Sequence, residues 1–184
     1  MRFLHEDLGY RDIRIPDRVF EHDLQYERGV ALIKALKETA AERGLTFGVK
    51  LSNTLAMENH RGALPGEEMY MSGRALYPLT MNLFFKLAQE FNGDLNVSYA
   101  GGADALNVPA ILAAGALPVT AASDLLKPGG YSRLLQWLEN IETAMREQGA
   151  SNLEALADNK MEVLAAEAAA APRSLRYAKS YFHY

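Results

Sequence analysis

Small residues at the ends of two successive strands are the strongest chemical signal in this sequence. Gly101-Gly102 follows the apolar run 95–99, and Ala122-Ser123 follows the run 117–121. Each pair precedes an expected helix, so backbone N–H groups and a helix dipole can both favour an anion there. The ends of adjacent parallel strands meet at one edge of a sheet, and the Ser123 hydroxyl can add a donor. The pattern predicts a phosphate site.

The glycine pair alone is equally compatible with a plain strand-to-helix turn. Neither GxGxxG nor GxxxxGK[ST] occurs, which excludes the Rossmann and P-loop motifs. The phosphate interpretation therefore depends on both strand ends acting together.

Lys50 is a charged residue within the apolar run FGVKL. One interpretation is a lysine that points outward from an edge strand. The other is an ammonium group that meets an electron-rich ring or a carbonyl of a ligand. Asn53 and Thr54 follow at the carboxyl end of the same strand, where barrel sites are built. The Asn53 amide can both donate to and accept from a planar heterocycle.

Three further positions carry weaker signals. Ser72-Gly73-Arg74 is expected to cap the next helix and can offer N–H groups to the same anion.

His60 and Arg61 are expected to be solvated in a loop. No histidine pair has metal-ligand spacing, so no metal site is expected. With no cysteine, the chain itself can form no disulfide, thiolate zinc site, iron–sulfur ligand or cysteine nucleophile.

Helices and strands alternate along the chain and would position these residues. Apolar periodicity and breakers predict helices at 23–43 (Leu24, Leu32, Ile33, Leu36, Ala40), 76–91, between the two later strands, and at 134–145 (Leu134, Leu138, Ile141, Met145). Strands are expected at 46–51, 95–99 and 117–121, with a long loop at 52–72. A capping box, Ser151-x-x-Glu154, is expected to start an alanine-rich helix that stops before Pro172.

About three strands alternating with helices indicate an α/β protein with parallel pairing. A complete (β/α)8 barrel needs about 250 residues, and the chain has 184. We therefore expect a partial (β/α)8 TIM barrel, about its C-terminal half, with a helical C-terminal extension. The expected segments are an irregular lead-in (1–22), the partial barrel (23–147), and a helical extension with an aromatic tail that docks on the body (148–184). An open half barrel exposes strand edges, so the rest of a longer chain or a homo-oligomer is expected to cover it.

Charge and composition exclude other classes of protein. The net charge of −4 and pI near 5.6 argue against a nucleic-acid partner. The charged start and the lack of a long apolar run predict neither a signal peptide nor a membrane span, and hence a cytoplasmic protein.

Four segments in this order, FGVKLSNT, MSGRALYPLTMN, SYAGGADAL and PVTAASDLLKPGGY, carry a family resemblance. Over about residues 20–145 the chain resembles the C-terminal part of the FMN barrel of the dihydroorotate and dihydropyrimidine dehydrogenase superfamily. Within it, the chain is most similar to bacterial iron–sulfur oxidoreductases labelled selenate reductase subunits. In those proteins, iron–sulfur and pyridine-nucleotide sites lie in other domains.

The resemblance implies FMN as the cofactor. Lys50 would meet the pyrimidine edge of the flavin, Asn53 the flavin or substrate, and Gly73 the ribityl-phosphate. Gly101 and Gly102 would hold the phosphate, with Ala122-Ser123 where the superfamily usually has Gly-Thr. The superfamily's general base, a cysteine or serine from an earlier part of the barrel, has no counterpart. The catalytic residue is therefore unassigned.

The expected function is part of a flavin-dependent oxidoreductase acting on a small unsaturated or heterocyclic substrate. Two alternatives remain open. One is a non-catalytic scaffold or oligomerisation module. The other is a sugar-phosphate barrel enzyme without flavin, in which Lys50 would form a Schiff base or act electrostatically.

Overall fold

The structure is a computed structural model that describes residues 2–52 and 54–179. Within them the chain forms seven α-helices and five strands. In chain order they are α1 (Asp17–His22), α2 (Tyr26–Glu42), β1 (Gly48–Leu51), β2 (Leu55–Glu58), β3 (Glu68–Met71), α3 (Tyr77–Glu90), β4 (Asn96–Tyr99), α4 (Val108–Ala113), β5 (Ala116–Val119), α5 (Arg133–Gln148), α6 (Leu153–Leu156) and α7 (Lys160–Ala170).

The three strands β1, β4 and β5 form one parallel sheet in the order β1-β4-β5. Val49 is paired with Val97, and Val97 with Ala116. The strands β2 and β3 form a separate antiparallel hairpin. The parallel sheet and its helices confirm the predicted α/β class. That the sheet is the C-terminal half of a barrel stays a prediction.

One face of the parallel sheet is covered and the other is open. Leu51, Val97 and Tyr99 are buried in the core beside the helices. Alternate residues point the other way, and Lys50 and Leu117 are exposed. The functional side chains therefore lie on, or at the rim of, a sheet face that the described residues leave bare.

Residues before α2 contribute to the core, in contrast to the expected irregular lead-in. A single helical turn at Phe3–Asp7 precedes α1. Leu4 and Leu8, four residues apart, are almost fully buried. Their spacing places both side chains on one side of the turn, which explains the local order. The division of the chain into three segments stays a prediction.

The expected long loop at 52–72 is wrong, because β2 and β3 form an antiparallel hairpin within it. The turn between them is held by the buried side chain of Asn59. Its amide donates to the carbonyls of Leu64 (2.5 Å) and Gly66 (2.8 Å), and its Oδ1 accepts from Ala63 N (2.9 Å). The Asn59 side chain thus supplies three of the hydrogen bonds that hold this turn, and no sequence pattern predicts them.

The apolar stripes of α2 and α5 are wider than the faces they bury. On α2, Val30 is buried and Ile33 packs against the core, whereas Leu32 and Leu36 are exposed. On α5, Trp137 is buried and Ile141 and Met145 pack inward. Other leucines of these predicted stripes, Leu24, Leu134 and Leu138, are exposed. Periodicity identified both helices but not the side that has a packing partner.

The C-terminal extension starts with a different cap from the one predicted. Asn152, not Ser151, caps α6, and its side chain accepts from Ala155 N at 2.8 Å. The alanine-rich segment is two helices, α6 and α7, since residues 157–159 break it. The expected single helix is therefore wrong.

The aromatic tail docks on the body as far as Lys179. Tyr177 stacks on Tyr77 with ring centroids 4.5 Å apart. Tyr10 Oη donates to the Tyr177 carbonyl at 2.9 Å, and Lys179 N donates to Leu8 O at 2.8 Å. Residues 180–184 of the predicted tail lie outside the described residues. No described helix is long and apolar enough to cross a membrane, and the cytoplasmic location stays a prediction.

Candidate functional site

A pocket of about 250 Å³ lies where the three parallel strands end. It collects residues from the carboxyl ends of β1, β4 and β5 and from the turn after β3. This is the edge at which open and closed α/β sheets bind ligands. Among the lining residues are Lys50, Thr54, Ser72, Gly73, Gly101, Gly102, Ala122, Ser123 and Leu126.

The pocket thus brings together six of the seven cofactor-binding residues predicted from sequence. Lys50 comes from β1, the glycine pair from the end of β4, and Ala122-Ser123 from beyond β5. Gly73 joins them from the turn before α3. The seventh, Asn53, lies outside the described residues. The residues meet because parallel strands bring their carboxyl ends to one edge.

Lys50 lies on an edge strand and also lines the pocket. Its side chain is exposed, and within the described chain it makes no ion pair. The edge-strand interpretation agrees with this position, and the ligand-binding interpretation stays a prediction. A free ammonium group at the mouth of a pocket can meet an anionic or electron-rich ligand.

The glycine pair is required by the packing of the chain itself. Gly101 and Gly102 have φ of +114° and +78°. A Cβ on Gly102 would lie 2.8 Å from Gly73 O and 2.9 Å from Tyr77 N. A Cβ on Gly101 would lie 2.8 Å from Thr80 Oγ1. Only glycine allows this approach, whether or not a ligand is bound.

The amide groups of this edge are free to bind an anion. Within the described chain, the N–H groups of Gly101, Gly102, Ala122 and Ser123 donate to no protein acceptor. All four residues are at least partly exposed and line the pocket. Successive free N–H groups in turns form the concave anion sites known as nests.

The helix-dipole part of the sequence prediction is wrong. Helix α4 begins at Val108, six residues beyond Gly102, and is only six residues long. Helix α5 begins at Arg133, ten residues beyond Ser123. Turns, not helix N-termini, follow both strand ends. Ser72, expected as an N-cap, makes no capping hydrogen bond.

Two buried polar residues that sequence reasoning missed hold the glycine turn. Asn107 Nδ2 donates to Gly102 O at 2.9 Å, and Asn107 Oδ1 accepts from Asp104 N at 2.8 Å. Asp104 Oδ1 accepts from the amides of Leu106 and Asn107 and pairs with Arg176. An Asp and an Asn just before a helix are a turn signal that could have found them.

Asp124, next to Ser123, was also missed. Its carboxylate is 1% exposed and accepts from Trp137 Nε1 (2.9 Å), Arg133 Nη2 (2.9 Å) and Lys127 Nζ (3.0 Å). Burial acts to raise the pKa of Asp124, but the three donors outweigh it and lower that pKa to about 2. Trp137 is buried in the core and also donates this hydrogen bond.

Two other residues considered from sequence lie apart from the pocket. His60 is half-buried in the β2–β3 turn, with Nδ1 3.4 Å from Glu58 O. Arg61 pairs with Asp12 at 3.6 Å. Neither lines the pocket. No group of three potential metal ligands occurs in the part of the chain that the structure describes.

Larger clefts occur elsewhere but lack this combination of groups. A cleft of about 640 Å³ at the amino end of the sheet is lined by Lys160, whose Nζ already donates to Gly93 O at 2.6 Å. Another, of about 740 Å³, lies between the N-terminal segment and the tail. The smaller pocket is the better candidate because strand ends, free amides and an unpaired cation converge there.

Comparison with known proteins finds one family model and two curated relatives that match this chain. A family model described as "Oxidoreductase YgfK, N-terminal TIM-barrel domain" matches residues 1–176. Two curated relatives, both called "Putative oxidoreductase YgfK" and from Escherichia coli K12 and O157:H7, are each 47% identical over 134 residues. That alignment covers 73% of this chain and 13% of each relative. No solved structure matches significantly.

These findings support the oxidoreductase and TIM-barrel parts of the sequence prediction. The resemblance to the FMN barrel of dihydroorotate dehydrogenases, and any link to selenate reduction, stay predictions. The family match spans nearly the whole chain, and the chain therefore belongs to the family of the N-terminal TIM-barrel domain of oxidoreductase YgfK.

Proposed function

We propose that this chain forms the phosphate-binding part of an FMN-dependent oxidoreductase barrel. The observation that carries the proposal is the convergence of four free amides and the Ser123 hydroxyl with Lys50 at one pocket. N–H and O–H donors suit a phosphate, and an exposed ammonium suits the electron-rich part of a bound ring.

The pocket fits part of FMN rather than all of it. Ligand pockets for molecules of this size are typically about 300–1,000 Å³, and this one is about 250 Å³. Gly73, Gly101, Gly102, Ala122 and Ser123 would hold the phosphate end, and Lys50 would face the ring. The remaining wall would come from other parts of a complete barrel.

Bound FMN would supply hydride exchange with a small unsaturated or heterocyclic substrate. The residues of this chain would bind and orient the cofactor. The Lys50 ammonium would stabilise negative charge at the flavin edge, an electrostatic role. The chain spans only about an eighth of its curated relatives. Iron–sulfur and pyridine-nucleotide sites in the rest of such a protein are part of the same proposal.

The test compares FMN with riboflavin, which lacks the phosphate. Titration of the full chain, followed by flavin fluorescence, should show FMN binding at least tenfold tighter. Ala122→Asp places a negative charge beside the free amides at an exposed position. It should remove most of the FMN preference and leave riboflavin binding unchanged. Ala31→Asp, at an exposed position of α2, is the matched control.

Two results would contradict the proposal. One is equal affinity for FMN and riboflavin in the unaltered chain. The other is an Ala122→Asp variant that keeps the full preference. If a sugar phosphate binds and becomes trapped on Lys50 by borohydride reduction, the sugar-phosphate barrel function is supported instead.

The open sheet face favours a second, structural role. Parallel strands are usually covered on both faces, yet Lys50 and Leu117 are exposed on one face. We infer that the remaining barrel of a longer chain, or a second copy of this chain, covers it. A scaffold role requires only that cover and no cofactor, so an Ala122→Asp variant would keep it.

A further inference from the structure

The segment 120–132 carries the Ala122 and Ser123 amides but has little structure of its own. Thr120 N donates to Tyr99 O at 2.7 Å, but beyond it the backbone hydrogen bonds are single turns, such as Leu125 N to Ala122 O at 3.0 Å and Gly130 N to Lys127 O at 3.0 Å. Exposed turn bonds of this kind contribute little to stability and open easily. Something else must hold the segment at the pocket.

Asp124 is the one residue of the segment 120–132 whose side chain is buried. It connects the segment to α5 through Arg133, at the first turn of that helix, and Trp137, one turn further. Trp137 is itself buried in the core. The carboxylate therefore joins the segment that follows β5, which has few backbone hydrogen bonds, to helix α5.

We propose that Asp124 is the positioning residue of the anion site, and that it fixes the Ala122 and Ser123 amides at the pocket before a ligand binds. The inference rests on the proposed function for the identity of the anion. The anchoring itself depends only on the buried contacts. A preformed site binds more tightly because less chain must be ordered on binding.

The role requires a carboxylate and not only a side chain of this size. Both oxygens of Asp124 accept, Oδ2 from Trp137 and Oδ1 from Arg133 and Lys127. In Asp124→Asn an NH₂ group must face one of these donors, and the negative charge is lost. The substitution keeps the volume of the side chain but breaks the anchor.

The experiment uses the full chain and two measurements. Hydrogen exchange without ligand should show the hydrogen-bonded amides of this segment, Leu125 and Gly130 among them, exchanging at least tenfold faster in Asp124→Asn, with α3 and α7 unchanged. Flavin titration should show the FMN-to-riboflavin affinity ratio falling at least fivefold. A merely structural defect would weaken both flavins equally and leave the ratio unaltered.

Two variants serve as controls. Leu164→Ala removes a side chain of α7 that is 1% exposed, so it lowers the melting temperature without touching the pocket, and the ratio should not change. Asp94→Asn removes the carboxylate of an exposed ion pair with Lys37, and Asp94 lies before β4, at the opposite end of that strand from the pocket. Its amide hydrogen exchange and its FMN-to-riboflavin affinity ratio should both stay close to those of the unaltered chain.

The outcomes separate this inference from the proposed function. Unchanged exchange at the hydrogen-bonded amides of the segment, such as Leu125 and Gly130, in Asp124→Asn overturns the anchoring. Faster exchange with an unchanged flavin ratio, in a chain that prefers FMN, overturns the positioning role. An unaltered chain with no preference for FMN overturns the proposed function and the phosphate part of this inference, and hydrogen exchange alone then decides whether Asp124 is an anchor.

Discussion

Among individual residues, Lys50 is distinguished by having no partner within the described chain. Lys37, Lys127 and Lys179 pair with carboxylates. The remaining lysines lie over aromatic rings or donate to a carbonyl, as Lys34, Lys86 and Lys160 do. A cation that the fold does not use is available to a ligand.

We therefore expect Lys50→Met to separate binding from stability. The side chain is exposed and unpaired, so the free energy of unfolding in urea should change by less than about 0.5 kcal/mol. FMN affinity should fall about tenfold because an electrostatic partner is lost.

The control for this variant is Lys37→Met, which breaks an exposed pair with Asp94 far from the strand ends. It should bind FMN as the unaltered chain does. Equal FMN affinities for Lys50→Met and the unaltered chain would remove Lys50 from the site.

Asp124 gives the protein a specific acid sensitivity. Its pKa is held at about 2 in the folded chain, below the ordinary 3.8. A lowered pKa contributes stability above the ordinary value, and this contribution is lost as pH falls from about 4 through 2. A shift of this size corresponds to roughly 2 kcal/mol.

Thermal unfolding between pH 2 and 5 measures this effect. The melting temperature of the unaltered chain should fall more steeply than that of Asp124→Asn, which has no carboxylate to protonate there. In Asp94→Asn, at an exposed ion pair, the melting temperature should fall with pH almost as steeply as in the unaltered chain. Parallel curves for the unaltered chain and Asp124→Asn would contradict the assignment.

At the scale of elements, the turn after β4 is defined by contact between two backbones. Gly102 lies against Gly73 O and Tyr77 N, so the ends of β4 and β3 and the start of α3 meet there without side chains between them. This close approach, more than the positive φ, decides which residues can occupy position 102.

Gly102→Ala should therefore destabilise the chain more than an alanine at a glycine in open space. Gly44 also has positive φ (+66°), but a Cβ there meets nothing within 4 Å. Gly44→Ala should cost about 1 kcal/mol for the left-handed backbone alone. Gly102→Ala should cost more than about 3 kcal/mol, since backbone atoms must also move. Urea unfolding of both variants tests the difference, and equal costs would contradict it.

Local pattern was sufficient to predict the elements that carry the pocket. Short apolar runs identified β1, β4 and β5, and the spacing of Leu76, Leu79, Leu83 and Leu87 identified α3. Parallel pairing then brought the strand ends together without further information. The prediction therefore succeeded where the type of each element and the parallel pairing of the strands were enough to place a residue.

Contacts between distant side chains could not be predicted in the same way. Asn59 and Asp124 are each a single polar residue in an unpatterned segment, and their roles depend on where the chain later passes. The exposed faces of α2 and α5 have the same cause, because apolar spacing does not reveal which face has a partner. The sequence predicted residues that line one pocket, but not the side chains that hold the pocket in place.

At the scale of the whole molecule, a row of exposed apolar side chains lies on α5 and in the turn before it. Leu134, Leu135 and Leu138 of α5 are exposed, as is Tyr131 in the turn just before it, and the four follow the i, i+3, i+4, i+7 spacing of a helix face. We call them the outer stripe of α5. A contiguous exposed stripe of this kind is typical of an interaction surface.

We expect the chain on its own to self-associate through this stripe. Leu135→Gln combined with Leu138→Gln should shift sedimentation toward the monomer at micromolar concentration. Thermal stability should change little, because both side chains are more than half exposed. Leu64→Gln, at an exposed residue of the β2–β3 turn, should leave association unchanged. A chain that stays monomeric at high concentration would contradict the expectation.

The packing of Gly101 and Gly102 also bears on how the site can change during evolution. The fold needs both glycines even if no ligand ever binds, so a lineage that lost its cofactor would still keep them. Within the described chain, Lys50 and the Ser123 hydroxyl make no such contribution to the fold, and other residues would replace them once binding ceased. Retention of Lys50 and Ser123 among distant relatives, and not of the glycines, is what would mark a lineage that still binds.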